Sequence, residues 1–424
     1  MLTAIIIVFC LGYLFIAMEH TIEVNKTATA LITGVLCWTI YALYSESEHI
    51  THQLLEQLGE VSSILFFLMG AMTIVELIDA HDGFELINSR IQTKSRKKLL
   101  WVICLLTFFL SAVLDNLTTT IVMVTLIGKI VKDNKLKMIF VGMIIIAANA
   151  GGAWSPIGDV TTTMLWIGGQ ISTTAIIARL IVPSLVCLLV PLAIVTMNIK
   201  GELRESGEEE IIETTVSSTE QRVVFFSGLI GLLFVPAFKT ITHLPPFMGM
   251  LLSLGALWLL TELIHRKKDE EQKKQLSVLR ALERMDVPSV LFFLGILLAV
   301  GVLQNTGILM GVANWLNGIT QNETIILSIF GIISAIVDNV PLVAATMAMY
   351  PLDLHAMDSG FWILLAFCSG TGGSLLIIGS AAGVAAMGLE KIPFGWYLKN
   401  ITWLAFAGYV AGILSFLLQE YLLS

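Results

Sequence analysis

Ten stretches of the chain, each 16 residues or longer, carry almost no charge: about 2–18, 27–44, 62–78, 139–167, 176–198, 223–238, 247–264, 288–304, 361–388 and 396–418. A helix of about 20 apolar residues crosses a hydrocarbon layer about 30 Å thick. Soluble domains carry about a quarter charged residues, whereas this chain carries 13%, against 56% apolar. It reads as an all-α polytopic membrane protein, because a helix satisfies its own backbone in lipid. Leu2–Met18 has no basic residue before it and Glu19-His20 after it, so it reads as a span and not as a cleaved signal. Cys10, Cys37, Cys104, Cys187 and Cys368 all fall in apolar runs without metal spacing and read as small buried side chains.

Two further apolar segments, 99–128 and 323–350, each carry an Asp-Asn pair at their centre: SAVLDNLTTT around Asp115-Asn116 and SAIVDNVPLV around Asp338-Asn339. Basic residues flank the first on both sides, from Arg90 to Lys98 and from Lys129 to Lys137. Basic loops stay on the cytoplasmic side, so this segment is expected to dip into the membrane and return, with legs of about 14 residues, about 21 Å each. The flanks of the second, 305–322 and 351–360, hold no Lys or Arg, which predicts a hairpin entering from outside. Pro341 marks its turn. Threaded with ten crossings and both termini outside, 22 of the 24 basic residues fall in internal loops, leaving Arg179 and Lys239.

The likeness of the two halves extends past the Asp-Asn pairs. SSILFFLMG at 62–70 answers PSVLFFLGI at 288–296, and NAGGAWSPIGD at 149–159 answers GTGGSLLIIGS at 370–380. By the charge count the LFFL span runs inward in the first copy and outward in the second, so the repeats are inverted. The expected division is 1–59, N-terminal spans; 60–198, first repeat with hairpin 99–128 and broken helix 139–167; 199–285, connecting loops and two spans; 286–424, second repeat with hairpin 323–350 and broken helix 361–388. Such repeats are the architecture of secondary transporters, whose sites lie at mid-membrane where broken helices meet. The acidic stretch after Gly201 and the mixed-charge stretch after His265 read as solvated cytoplasmic loops, and 45–60 as at most a surface helix.

Ionisable groups within the membrane are costly and usually functional. Here they are Asp115, Asp338, Asp159 and, near the inner end of its span, Glu76, a candidate proton relay or an interfacial anchor. For the aspartates the plain alternative is helix capping. Oxygen and amide donors surround them: Ser111, Asn116, Thr118, Thr119, Asn149, Ser155, Thr161 and Thr162 in one half, Ser334, Asn339, Ser369, Thr371, Ser374 and Ser380 in the other. No His or Cys joins them, which suits a hard cation over a transition metal. A carboxylate in low dielectric prefers its proton and a sodium ion restores its charge, so cation and proton compete for one group. Nothing basic is expected inside to neutralise a large anion.

These four motifs together resemble the NhaD-type sodium/proton antiporters, in the wider superfamily that includes the divalent-anion/sodium symporters; the resemblance covers essentially the whole chain. It implies exchange of Na⁺ or Li⁺ for H⁺ by alternating access, cytoplasmic Na⁺ leaving as external H⁺ enters, in service of pH homeostasis. It also implies a bacterial inner membrane, a scaffold able to form a homodimer and no cofactor beyond the transported ions. By motif position, Ser111, Asp115, Asn116, Asn149, Asp159, Thr161, Thr162, Ser334, Asp338 and Asn339 inherit the site, with Na⁺ at the two Asp-Asn pairs. The rival is a sodium-coupled dicarboxylate symporter or oxyanion transporter on the same scaffold. An intramembrane aspartyl protease is disfavoured, as no YD and GxGD pair is present, so no enzyme activity is expected.

Overall fold

Nearly every element of the chain is a helix, and the computed structural model describes residues 1–44, 47–88, 93, 95–199, 201–202, 216–266, 268–336 and 338–423. The chain begins with α1 (Leu2–Ala17), α2 (Glu19–Ile22), α3 (Lys26–Leu43), α4 (Ser47–Ala80) and α5 (Glu85–Asn88). The first Asp-Asn segment forms α6 (Arg96–Leu114) and α7 (Asn116–Ile130), followed by α8 (Asn134–Ala153), α9 (Val160–Ile167) and α10 (Thr173–Asn198). Next come α11 (Ser218–Thr242), α12 (Pro246–His265), α13 (Glu270–Gln275) and α14 (Val278–Arg284). The second half holds α15 (Val287–Asn305), α16 (Ile308–Ile319), α17 (Glu323–Ile333), α18 (Asn339–Met349), α19 (Gly360–Gly372), α20 (Ala381–Glu390), α21 (Phe394–Asn400) and α22 (Thr402–Leu423). Among the described residues nine helices are long and apolar enough to cross a membrane. Many large apolar side chains stay exposed on the outer helix faces, Leu259 and Ile230 among them, as expected where the solvent is lipid and not water.

Helix α10 serves as a ruler for the rest. It runs antiparallel to α22, with Gly408 against Cys187 near the middle and Arg179 paired to Glu420 at the far end. At the C-terminal end of α10, Trp101 Nε1 of α6 donates to Thr196 Oγ1 (3.1 Å) and Arg96 N donates to Gly201 O (3.4 Å). Ile401, just before α22, packs on Gly142 of α8. Beyond it Glu390 meets both Lys137 (2.5 Å), at the start of α8, and Gly128, near the end of α7. The start of α6 and the end of α7 therefore lie at one end of the molecule. At the opposite end Ser172 N donates to Asp358 Oδ1 (2.6 Å). There His355 Nε2 lies 3.7 Å from Glu323 at the start of α17, and Tyr350 after α18 packs on Phe361. The pair α17–α18 thus opens toward the other end from α6–α7.

The two halves repeat each other contact by contact. Ser111 Oγ donates to Ala148 O (2.6 Å), and its counterpart Ser334 Oγ donates to Ser369 O (3.0 Å). A Cβ on Gly151 would lie 2.2 Å from Phe108 O, and one on Gly372 would lie 2.0 Å from Gly331 O. Gly158 sits against Ser111 and Ala112, as Gly379 sits against Ala335. Within each half the helix carrying the first of these glycines passes backbone to backbone against the first hairpin leg, a separation only glycine permits. The breaks follow from the same chemistry: α8 stops at Ala153 and α9 starts at Val160, while α19 stops at Gly372 and α20 starts at Ala381.

Three elements differ from the sequence reading. Residues 47–60 are the first turns of the 34-residue α4 and not a separate surface helix; nothing there breaks the helix, and Gly59 faces open space. The flank 305–322 holds a helix, α16; its missing Lys and Arg marked a side of the membrane but said nothing of local structure. Leg α6 has 19 residues and not about 14, because its basic first turn, Arg96 to Lys98, is itself helical. Most of the acidic connector after Glu202, and Arg90 and Lys94 of the first flank, lie outside the described residues.

Candidate functional site

Asp115, Asp159 and Asp338 all cap helices, Asp159 buried and the other two half-buried, and capping exhausts only Asp115. Asp115 links α6 to α7 and accepts from Thr118 N (2.8 Å) and, on its other oxygen, from Thr118 Oγ1 (2.8 Å). Its backbone has φ 81° and ψ 159°, a region that is essentially glycine's and costs a non-glycine residue about 1–3 kcal/mol. Asp159 caps α9: Thr161 N (2.8 Å) and Thr161 Oγ1 (2.6 Å) both donate to its Oδ1. That leaves Oδ2 for Asn116 Nδ2, which donates to it at 2.6 Å. Asp338 caps α18 through Val340 N (3.2 Å).

The buried network joins both halves. Asn116 Nδ2 also donates to Asn149 Oδ1 (3.0 Å), and Asn149 Nδ2 donates to Ser374 Oγ and Ser380 Oγ (2.9 Å each). The first hairpin tip, the first break and the second break therefore share one hydrogen-bonded chain, Asp159–Asn116–Asn149–Ser380. Asp159 lies within electrostatic reach of both Asp115 and Asp338. Gly370 stands where the first half has Asn149, and its missing side chain leaves room beside Asp159 Oδ2, 3.9 Å from where a Cβ would be.

Of the residues expected at the site, the structure gathers Asp115, Asn116, Thr118, Asn149, Asp159, Thr161, Ser374 and Ser380 into this region. Ser111 and Ser334 tie hairpin legs to broken helices and face neighbouring carbonyls. Ser155 does the same toward Ala112 O. Ser369 and Thr371 turn their hydroxyls onto their own helix, at Leu365 O and Phe367 O. Thr119 and Thr162 are fully buried, and their hydroxyls find no partner among the described residues. Asn339 is buried at the second tip.

The second tip corrects one expectation. A basic group does lie inside: Lys26 Nζ, in the first turn of α3, sits 3.0 Å from Asp338 Oδ2 and 4.4 Å above the Phe292 ring. The sequence placed Lys26 in an internal loop at the edge of a span. No local signal there announces a partner 312 residues away.

A cavity of about 680 Å³ leads to the first tip, reaching Leu117, Thr118 and Ser289. Its described walls carry six carboxylates (Glu19, Glu76, Asp79, Asp82, Glu85 and Asp286) against three basic residues, Lys26, Lys129 and Arg284. Burial and the neighbouring Glu85 push the Asp82 carboxyl up, with Lys129 pulling it back. Glu76 thus stands on the vestibule wall and not in the buried network. A smaller space of about 60 Å³ touches Asp115 and Asn116 and shares Met72, Leu117, Ser289 and Ala381 with the vestibule. Because Lys129 marks the open end of the first hairpin, the vestibule faces that end. A mouth lined mainly by one sign of charge concentrates ions of the other sign.

Comparison with known proteins adds the following. A family model described as a citrate transporter matches residues 13–359. Sodium/proton antiporter 2 of Arabidopsis thaliana is 47% identical over 413 residues, covering 97% of this chain and 98% of that protein. Sodium/proton antiporter 1 of the same plant is 50% identical over 415 residues, covering 98% of this chain and 72% of that protein. The Na(+)/H(+) antiporter NhaD of Vibrio cholerae is 30% identical over 452 residues, covering 99% and 92%.

Proposed function

The chain belongs to the NhaD-type sodium/proton antiporters within the citrate-transporter family, and from that premise we propose how its geometry couples the two ions. The protein is a multi-pass membrane antiporter that exchanges Na⁺ for H⁺ across a lipid bilayer. In our reading Na⁺ or Li⁺ leaves the cytoplasm as H⁺ enters, by alternating access between two inverted repeats, about 60–198 and 286–418. In this reading the basic residues at the vestibule end lie on the cytoplasmic side, both chain termini lie outside, and the membrane is a bacterial inner membrane. The vestibule makes this the inward-facing state.

The observation that carries the mechanism is the Asp159–Asn116–Asn149–Ser380 chain at the junction of the two broken helices. A sodium ion dehydrates at the end of the acidic vestibule and takes oxygen ligands there. Asp115 and Asp159 supply charge; Asn116, Asn149, Thr118, Thr119, Thr161 and Thr162 supply neutral oxygens. Asp338 and Asn339 complete the site from the second tip when the hairpins and broken helices move against the scaffold. When sodium leaves, protons take its place on the carboxylates. Each ion thus excludes the other, and antiport follows. Glu76 stands where it can pass protons between water and the tip. The dicarboxylate alternative fits less well: the site presents carboxylates, and the ammonium nearest to it is already paired with Asp338.

The test is exchange in reconstituted vesicles carrying a pH-sensitive dye, with Na⁺, Li⁺ and K⁺ and with no organic anion. Direct competition predicts that, below the carboxylate pKa, each pH unit downward raises the sodium half-saturation about tenfold per competing proton, about 1.4 kcal/mol. Asp159→Asn keeps the shape but loses the charge, and should abolish exchange while protein remains in the membrane. A half-saturation flat in pH, or normal exchange by Asp159→Asn, would overturn the mechanism.

A further inference from the structure

Away from the sodium site, at the vestibule end of the scaffold helices, three metal-ligating side chains converge from three elements. His81 follows the last residue of α4, Glu220 lies in the first turn of α11, and His265 ends α12. His265 Nε2 is 2.9 Å from His81 Nε2 and 2.9 Å from Glu220 Oε1, and the remaining pair is 3.9 Å apart. All three side chains are buried. We propose that His81, Glu220 and His265 form a binding site for one divalent metal ion of the zinc class, reached from the cytoplasmic groove that His265 also lines.

The protonation pattern supports electron-pair donation. His81 Nδ1 lies 2.7 Å from Leu77 O. A carbonyl only accepts, so the proton is on Nδ1 and Nε2 presents a bare lone pair to the cluster. A ring nitrogen held by a backbone carbonyl while the other ligates is the usual outer support of a metal-bound histidine. Glu220 Oε1 is a second acceptor. His265 Nε2 faces both acceptors and carries at most one hydrogen, so it can serve only one of them. Positive charge is already drawn in: Lys268 Nζ lies 2.8 Å from Glu220 Oε1.

Ligand type and spacing narrow the ion. Two imidazole nitrogens and one carboxylate oxygen suit zinc, cobalt or nickel more than sodium, magnesium or calcium. Tetrahedral zinc bonds of about 2.0–2.2 Å put neighbouring ligand atoms about 3.3 Å apart, and the three separations here bracket that value. Three protein ligands leave a fourth position for water. Entry is available, since His265 lines an open groove of about 930 Å³ between the end of α12 and α13–α14. The site would brace the vestibule rim, because Gln221, next to Glu220, donates to Asp82 O (2.6 Å), and Asp82 lines the vestibule.

The test is direct binding to the purified full chain after chelator treatment, so it does not depend on transport. Co²⁺ is titrated and its visible absorption followed, then displaced with Zn²⁺. The expected result is one equivalent per chain, with the intense bands of a four-coordinate ion. His81→Gln and His265→Gln should each weaken binding at least a hundredfold. Lys268→Met leaves all three ligands in place and removes the competing ammonium, so it should tighten binding about tenfold. Absence of stoichiometric binding by the unmodified chain would overturn the site. So would equal binding by folded His81→Gln, or binding no tighter in Lys268→Met; either result would make the cluster a proton-sharing network only.

Discussion

Lys26→Met is the perturbation that tests most directly whether the second tip handles the cation. In the structure the Lys26 ammonium stands 3.0 Å from Asp338 Oδ2, with the two side chains 27% and 20% exposed. At an effective dielectric constant of about 20, two unit charges at that distance attract by roughly 5.5 kcal/mol, an upper bound. Desolvation takes back most of it, and hydrogen bonds to charged groups contribute about 1.5–3 kcal/mol net. Partial exposure places this pair at the lower end, about 1.5 kcal/mol, or roughly tenfold in an equilibrium constant. A sodium ion that reaches Asp338 must displace the ammonium and forfeit that amount. Methionine keeps the length and the packing on Phe292 but carries no charge. The variant should therefore show a sodium half-saturation about tenfold lower in vesicle exchange at alkaline pH. Lys26→Arg, which keeps the charge, should stay close to the unmodified chain. An unchanged or raised half-saturation in well-folded Lys26→Met would refute the displacement argument and leave the pair as a tether between α3 and the second hairpin.

Two further predictions concern topology and packing. Cysteines placed singly at Ser95 and Asn134, in a background without the native cysteines, should both react with an impermeant reagent from the cytoplasmic side, and one at Gln321 only from outside; labelling of 95 and 134 from opposite sides would contradict the first hairpin. Gly151→Ala and Gly372→Ala would push a Cβ to within 2.2 Å and 2.0 Å of backbone carbonyl oxygens and should each cost about 1–3 kcal/mol, read as a lower melting temperature in detergent. Gly311→Ala, with open space around it, should be neutral or slightly stabilising.

Much of the fold was legible because lipid imposes simple rules. Apolar runs, basic flanks and paired Gly clusters identified the long helices and the two breaks, and Asp115 and Asp338 stood out as acids amid apolar residues. The site was legible as a set of residue types but not as contacts. Nothing in the sequence says that Asn149 reaches Ser374 and Ser380, because those hydroxyls are brought there only when the two broken helices meet. Ser369 and Thr371 have the same chemistry and a similar place in the repeat, yet they face their own helix. Lys26 was hidden because a lysine at the edge of a span looks like any flanking charge. His81, Glu220 and His265 were hidden for a related reason: each sits singly at the end of a different helix.

The repeat also explains why its two tips are not equivalent. With the offset of 223 residues that relates Asp115 to Asp338, Thr118 corresponds to Pro341. Thr118 gives Asp115 two donors, its N–H and its hydroxyl, one to each carboxylate oxygen. Proline has neither. Asp338 therefore falls back on the N–H of Val340 at 3.2 Å, and its Oδ2 turns to a charge outside its own helix, which Lys26 provides. At the breaks, where the offset is 221, Ser380 stands for Asp159 and Gly370 for Asn149, so the acid–amide chain exists in one half and the second contributes hydroxyls and space. One tip is held by its own helix, and the other is held by a side chain of another helix, Lys26 of α3. A change at Thr118 should therefore act through Asp115 alone, while a change at Lys26 alters the competition for Asp338. An inverted repeat with two identical tips would have no such division between a carboxylate satisfied by its own helix and one paired with a distant lysine.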